Sequence, residues 1–184
     1  MPSSDIPTPS SARLTEHEGM LLALVLRQQP VTAYQLVKVH EQSPVSSINA
    51  SKGQVYPAIR RLKERGFITS EKVANDGRQS ETLSTTQLGV QAVRDWVTSL
   101  DESHVVIDDP LRTRILSFDL LTQEERLEWV VRAKRLVKER RERVEAFGAL
   151  LEEPYQQAAL LNAIVTLGAK MKWLDELLYI LTPD

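Results

Sequence analysis

The 184-residue chain contains no cysteine, which excludes disulfides and thiolate metal sites and fits a reducing compartment. Glycine is scarce, seven residues in all, so the chain has few places for the tight turns of an all-β fold and leans toward helix. No apolar run approaches the roughly 20 residues that a membrane-spanning helix needs. No sign of charge dominates either: the net charge is −2, so any surface for nucleic acid must be a local patch. The opening stretch lacks the basic start and apolar core of a signal peptide, which makes the cytoplasm the expected location. Its Ser/Pro content buries too little surface to offset ordering, and residues 1–13 are expected to be a flexible tail. Against these absences, 42% of the residues are hydrophobic, enough for one large domain or two small ones.

Three helix starts follow in quick succession. Thr15 with Glu18 forms a capping box ahead of the apolar run Met20–Leu26, which Pro30 closes. Thr32 with Gln35 opens a short helix to about His40, and Ser51 with Gln54 opens a third that runs to Arg65 and closes on Gly66. The pattern then becomes strand-like over 67–73, turns at Asn75-Asp76-Gly77 and returns through Glu81–Ser84. Thr85 or Thr86 caps a fourth helix holding Leu88, Ala92, Val93, Trp96 and Leu100. Three helices followed by a hairpin is the order of a winged helix-turn-helix, here assigned to residues 14–100.

From residue 101 the composition changes. Asp108-Asp109-Pro110 precedes an expected short helix over 111–121, and Thr122 with Glu125 caps a long helix to about Glu152. In that helix Val130, Val137, Val144 and Leu151 recur every seven positions, with Ala133 and Phe147 beside them and Arg140 in an inward slot. After Pro154, Leu160, Ile164, Leu167, Met171, Leu174, Leu178 and Leu181 alternate in steps of four and three. These are coiled-coil seams. The expected fold is mainly α: a winged helix-turn-helix with a two-stranded wing, then a long-helix, coiled-coil-like dimerisation domain over 101–184. Val130, Val137, Val144, Leu160, Ile164, Leu167, Met171, Leu174 and Leu178 are its candidate dimer contacts.

The third helix carries the functional signal. At 100° per residue, Val55, Ala58, Ile59 and Leu62 share an arc of roughly 100° that must pack inward. Gly53, Tyr56, Arg60 and Arg61 lie outside the arc, with Lys63 at its flank, so the free face suits a major groove. Between Lys52 and Arg78 there are seven basic and three acidic residues, an excess of four that leaves the rest of the chain acidic. The bland alternative is an ordinary solvated helix face. In the turn, Arg78 is placed to reach phosphate or a minor groove, with Gln79 and Ser80 adding hydrogen bonds; an ordinary surface turn is the alternative.

Other chemistry is poorly supported. His17, His40 and His104 are far apart and lack ligand spacing, so neither a metal nor a cofactor is expected. There is no phosphate-cradling glycine loop and no GxSxG elbow, and the acidic pairs Glu124-Glu125 and Glu152-Glu153 sit at helix ends, where dipole or solvent explains them. The run Arg132–Arg143 reads as the outer face of a helix. Trp96, Trp129 and Trp173 sit at or beside apolar helical positions; they either pack between helices or line a pocket for a small flat aromatic effector.

Taken together, Leu21–Leu24, Thr32–Leu36, Gly53-Gln54-Val55-Tyr56-Pro57-Ala58-Ile59-Arg60-Arg61-Leu62, Glu64–Ile68 and Leu83–Gly89 resemble the PadR family of transcriptional regulators. The resemblance covers about residues 20–97. The C-terminal half, ending in Met171–Leu177, is similar to the virulence-activator branch with its long helical extension. The sequence departs from the family at Ala33, where a glycine is usual, and at Glu81, where basic or aromatic residues are frequent. The resemblance implies a homodimeric, sequence-specific DNA-binding regulator acting as a repressor on a roughly palindromic operator. Its candidate DNA contacts here are Tyr34, Ser51, Lys52, Gln54, Tyr56, Arg60, Lys63, Arg78 and Gln79. The rival expectation is a winged-helix adaptor that binds protein and never touches DNA.

Overall fold

The computed structural model describes residues 13–45, 52–75 and 78–182. The described residues up to His104, apart from Ser43–Val45, form one compact unit; Ser43–Val45 and the described residues from Val105 onward form a second.

In the first unit, helix α1 (Glu16–Gln28) begins at the expected capping box. The Glu18 amide donates to Thr15 Oγ1 at 3.2 Å and the Thr15 amide donates to Glu18 Oε2 at 3.3 Å. Its Leu21, Leu22 and Val25 are fully buried. Val31–Thr32 then forms a short strand, β1, and Thr32 goes on to cap α2 (Ala33–Gln42). There the Thr32 amide donates to Gln35 Oε1 at 2.8 Å, and the Gln35 amide returns a bond to Thr32 Oγ1 at 3.2 Å. Helix α3 (Lys52–Glu64) buries the expected arc Val55, Ala58, Ile59 and Leu62. Ser51, its expected cap, lies outside the described residues.

Helix α3 ends in a Schellman motif. Gly66 takes φ +71°, its amide donates to the Lys63 carbonyl at 2.9 Å, and the Phe67 amide reaches back to Leu62 at 2.9 Å. The chain leaves directly into β2 (Ile68–Asn75), which pairs antiparallel with β3 (Arg78–Thr85) from Ile68↔Thr85 to Asn75↔Arg78. The expected wing had two strands; the sheet has three, in the order β1-β3-β2, because Val31 and Thr32 pair with Leu83 and Thr82. Two residues carry no readable period, so only the tertiary pairing reveals that strand. Thr86 caps α4 (Gln87–Thr98), its Oγ1 accepting from the Gly89 amide at 3.0 Å. A side chain at Gly89 would meet the Phe67 carbonyl at 2.1 Å, so this helix can lie against the strand only with glycine there. On α4, Val93 is buried while Leu88 is exposed, and Leu100 lies beyond the helix in solvent.

In the second unit, Asp109 caps α5 (Pro110–Ile115), accepting from the Leu111 amide at 2.9 Å, and its other oxygen pairs with Lys170 Nζ at 2.9 Å. The helix expected over 111–121 breaks after Ile115 into a single 3-10 turn, Phe118–Leu120. That turn places the Phe118 carbonyl under Arg126 Nε at 2.7 Å and its ring edge-on to Trp129, 5.1 Å between centroids. A second capping box, Thr122 with Glu125, starts α6 (Gln123–Gly148), and α7 spans Pro154–Leu181.

Helices α6 and α7 form an antiparallel hairpin within one chain. Lys134 pairs with Asp175 at 2.5 Å, Gln123 bonds the Leu181 carbonyl, and Leu160 closes on Gly148, where a Cβ would stand 2.2 Å from its methyl. Helix α6 ends at Gly148, four residues before the expected Glu152. The heptad residues Val130, Val137, Val144, Leu160 and Leu174 are buried in the chain itself, with Ala133 and Leu177. Ile164, Leu167, Met171 and Leu178 are half-buried. The five buried members of the stripe assigned to a partner chain therefore pack within this chain. A heptad repeat specifies that a helix needs a partner, and a short turn between two such helices makes the partner intramolecular. Replacing fully buried Leu174 by Ala should lower the unfolding free energy by about 2–5 kcal/mol, and Leu178→Ala by clearly less, in denaturant melts followed by circular dichroism.

Candidate nucleic-acid interface

With Val55, Ala58, Ile59 and Leu62 turned inward, the opposite face of α3 presents Gly53, Gln54, Tyr56 and Arg60 to solvent. Tyr56 is 48% exposed, beside buried Val55. No acidic residue occupies the first turn of α3, so its positive dipole end is unopposed by its own side chains. Lys52 is the first residue of the helix. On α2, Tyr34 is exposed, with Lys38 Nζ 5.4 Å from its ring centroid. Arg78 and Gln79 open β3 opposite Asn75 and Ala74.

The cations of α3, and Arg65 just past its end, divide sharply by partner. Arg60 faces Glu64 loosely at 3.8 Å, both side chains well exposed. Arg61 Nε donates to Glu18 Oε1 at 2.7 Å, and Arg65 Nη1 donates to Glu18 Oε2 at 3.1 Å while its guanidinium lies 4.5 Å from the Phe67 ring centroid. Lys63 Nζ pairs with Glu81 Oε2 at 2.5 Å. Of the sequence-expected contacts on α3, Gln54, Tyr56 and Arg60 share the outward face, whereas Lys63 is engaged by the sheet.

Glu18 is the residue that sequence reasoning did not place at the site. It is the one charged residue in the buried set of the described chain, 4% exposed, and joins the first turn of α1 to the last turn of α3. Its capping role was legible from a spacing of three, but its arginine partners lie 43 and 47 residues away. Burial pushes its carboxyl upward; the hydrogen bond from Arg61, the Thr15 amide, and the charges of Arg61 and Arg65 outweigh that and hold it below 4.5. His17 beside it is held below its ordinary range by burial and by Arg61, and its buried Nε2 has no protein partner.

The tryptophans separate. Trp96 belongs to the first unit, its Nε1 donating to Glu16 at 3.2 Å and its ring filling the space over Gly19, where a Cβ would come within 2.4 Å. Trp129 and Trp173 pack together with the α6–α7 core of the second unit. A shallow depression of about 770 Å³ runs along α6 past Leu127, Val131, Arg132 and Arg135, and none of the three tryptophans borders it. Among the described residues no cluster of His, Asp or Glu can hold a metal, and no helix is long and apolar enough to cross a membrane.

Three helices, a hairpin and an exposed, cation-bearing third helix define a winged helix-turn-helix protein. Residues 21–95 match the transcriptional regulator PadR-like family. No curated protein matches the chain in sequence. Among solved structures it is similar to Bacillus subtilis PadR in complex with operator DNA, with TM-score 0.79 and 17% identity over 92% of this chain and 99% of that one. A PadR-like transcriptional regulator from Bacillus cereus aligns with TM-score 0.73 and 17% identity over 94% and 99%. Bacillus subtilis PadR in complex with p-coumaric acid aligns with TM-score 0.72 and 17% identity over 91% and 96%.

The Glu18 node makes a pH prediction. Its depressed carboxyl stabilises the fold above 4.5, and that contribution is lost as pH falls through the folded value. Glu18→Gln should therefore cost on the order of 1–3 kcal/mol near neutrality. The gap to wild type should close on acidification below 4.5 in denaturant melts run across pH.

Proposed function

We propose that the chain is a homodimeric, sequence-specific DNA-binding transcriptional regulator with α3 as its reading helix. The observation that carries this is the division of α3 into an inner apolar arc and an outer face of Gly53, Gln54, Tyr56 and Arg60. A helix anchored on one side and polar, aromatic and cationic on the other fits a major groove. Tyr56 and Lys52 hold phosphates near the start of the helix, and Gln54 and Arg60 address base edges. Tyr34, Ser51, Arg78 and Gln79 join the contact set, the last two from the wing beside the groove. The operator complex of Bacillus subtilis PadR supports this reading. Such a protein works in the cytoplasm and needs no catalytic centre.

Dimerisation falls to faces that the α6–α7 hairpin leaves uncovered. Leu161 and Val165 stand one turn apart on α7, and both are about 60% exposed. A second copy is the natural cover for them, since a symmetric dimer presents the same patch twice and pairs two reading heads on a roughly palindromic site. The complex of Bacillus subtilis PadR with p-coumaric acid supports a small aromatic effector for this chain as well, and Trp129 and Trp173 are the tryptophans to watch for its binding.

Enrichment of bound fragments from random duplexes, followed by gel shift, tests the reading: a two-fold symmetric sequence is expected, and failure to retain any duplex in dilute salt overturns it. Tyr56→Ala should weaken binding to all sequences alike, whereas Gln54→Ala should change which base is enriched at one position of each half-site. A double change, Leu161→Glu with Val165→Glu, should give a helical monomer in sedimentation equilibrium and lower operator affinity by about a hundredfold or more through lost bivalency.

A further inference from the structure

The acidic residue Glu81 lies on β3, directly opposite Lys72 of β2, in a wing whose work is to approach a polyanion. Its carboxylate oxygen is 2.5 Å from Lys63 Nζ in the last turn of α3. The hydrogen bond and charge of Lys63 come first among the influences that hold Glu81 below its ordinary range, with Ser70 and Lys72 assisting. The pair is accessible, Lys63 being 30% and Glu81 48% exposed at the side chain. The Glu18 cluster is different in kind. Pulling Arg61 or Arg65 away would strand a carboxylate that is only 6% exposed, at a high desolvation cost. Glu81 can instead be released into water at little cost, because exposed ion pairs contribute a net of at most about 1 kcal/mol.

A carboxylate and a phosphodiester offer an ammonium group the same thing, an anionic oxygen at hydrogen-bond distance. We propose that Glu81 acts as an internal stand-in for a DNA phosphate: it occupies Lys63 in the free protein, and a duplex must displace it before Lys63 can bind the backbone. This inference rests on the DNA-binding reading above. Lys63 then contributes little to affinity in the wild-type chain, because its contact with phosphate replaces the one with Glu81 and adds none. The consequence is specific: Glu81 holds down the sequence-independent part of binding, and base contacts from the outer face of α3 decide where the protein stays.

The test is a double-mutant cycle on the full-length chain with Glu81→Gln, Lys63→Met and both together. Each protein is titrated with a duplex of random sequence and with the duplex most enriched from a random pool, between 50 and 200 mM salt. Glu81→Gln should bind both duplexes more tightly by the same factor, and its log–log salt dependence should steepen by about 0.9, the value of one added phosphate contact. That slope means the advantage shrinks roughly three- to fourfold across the salt range. Lys63→Met alone should change little, and Glu81→Gln should have no effect in the Lys63→Met background. An unchanged affinity and slope for Glu81→Gln overturns the proposal. So does a gain that persists in full without Lys63, since Glu81 would then merely repel DNA. A wild-type chain that retains neither duplex sinks the DNA-binding reading itself and this inference with it, an outcome distinct from the other two.

Discussion

The burial of one stripe of α3 governs what the first unit can do. Val55, Ala58, Ile59 and Leu62 are driven inward against α1 and α2, and because a helix is rigid, this orients every other residue on it. Gln54, Tyr56 and Arg60 are outside for no reason of their own. They occupy the positions left when the apolar arc goes in. The Schellman motif at Gly66 then sends the chain straight from this helix into the hairpin, so that the outer face of α3 and the hairpin beside it are set by one packing event.

Electrostatics refine the surface that packing creates. The local excess of positive charge between residues 52 and 78 looks in sequence like a single cationic patch, but the folded chain sorts it. Glu18, buried, consumes Arg61 and Arg65 as fastenings between α1 and α3. Glu81, at the surface, engages Lys63 in a pair that solvent and other anions can contest. The same four-carbon or guanidinium cations thus serve as structural ties or as mobile contacts, depending on whether their carboxylate partner has access to water.

Much of the fold was legible in one dimension. Capping boxes at Thr15–Glu18 and Thr122–Glu125 form as read, because both halves of the motif lie within four residues. The inner arc of α3 followed from periodicity, as did the helical character of residues 123–148 and 154–181. Legibility failed where the partner was remote. Strand β1 exists only because Leu83 and Thr82 are there to pair with it. The short helix after Asp109 breaks early where Phe118 turns onto Trp129 and Arg126. Trp96, grouped with Trp129 and Trp173 by residue type, belongs to a different unit and lies over Gly19.

The heptad stripes mark the boundary between the two kinds of knowledge. Sequence alone determined that Val130, Val137, Val144, Leu160 and Leu174 must be covered by helix, because apolar side chains at that period form one continuous face that water disfavours. It also determined that the third helix has an inside and an outside. Only the tertiary structure decided that the covering helix comes from the same chain, that Leu161 and Val165 are among the apolar residues left uncovered, and which carboxylate holds which cation. The reason is physical: periodicity and capping are short-range and repeat along the chain, whereas an ion pair or a helix–helix contact depends on where distant residues arrive, and the same local pattern is compatible with several such arrivals.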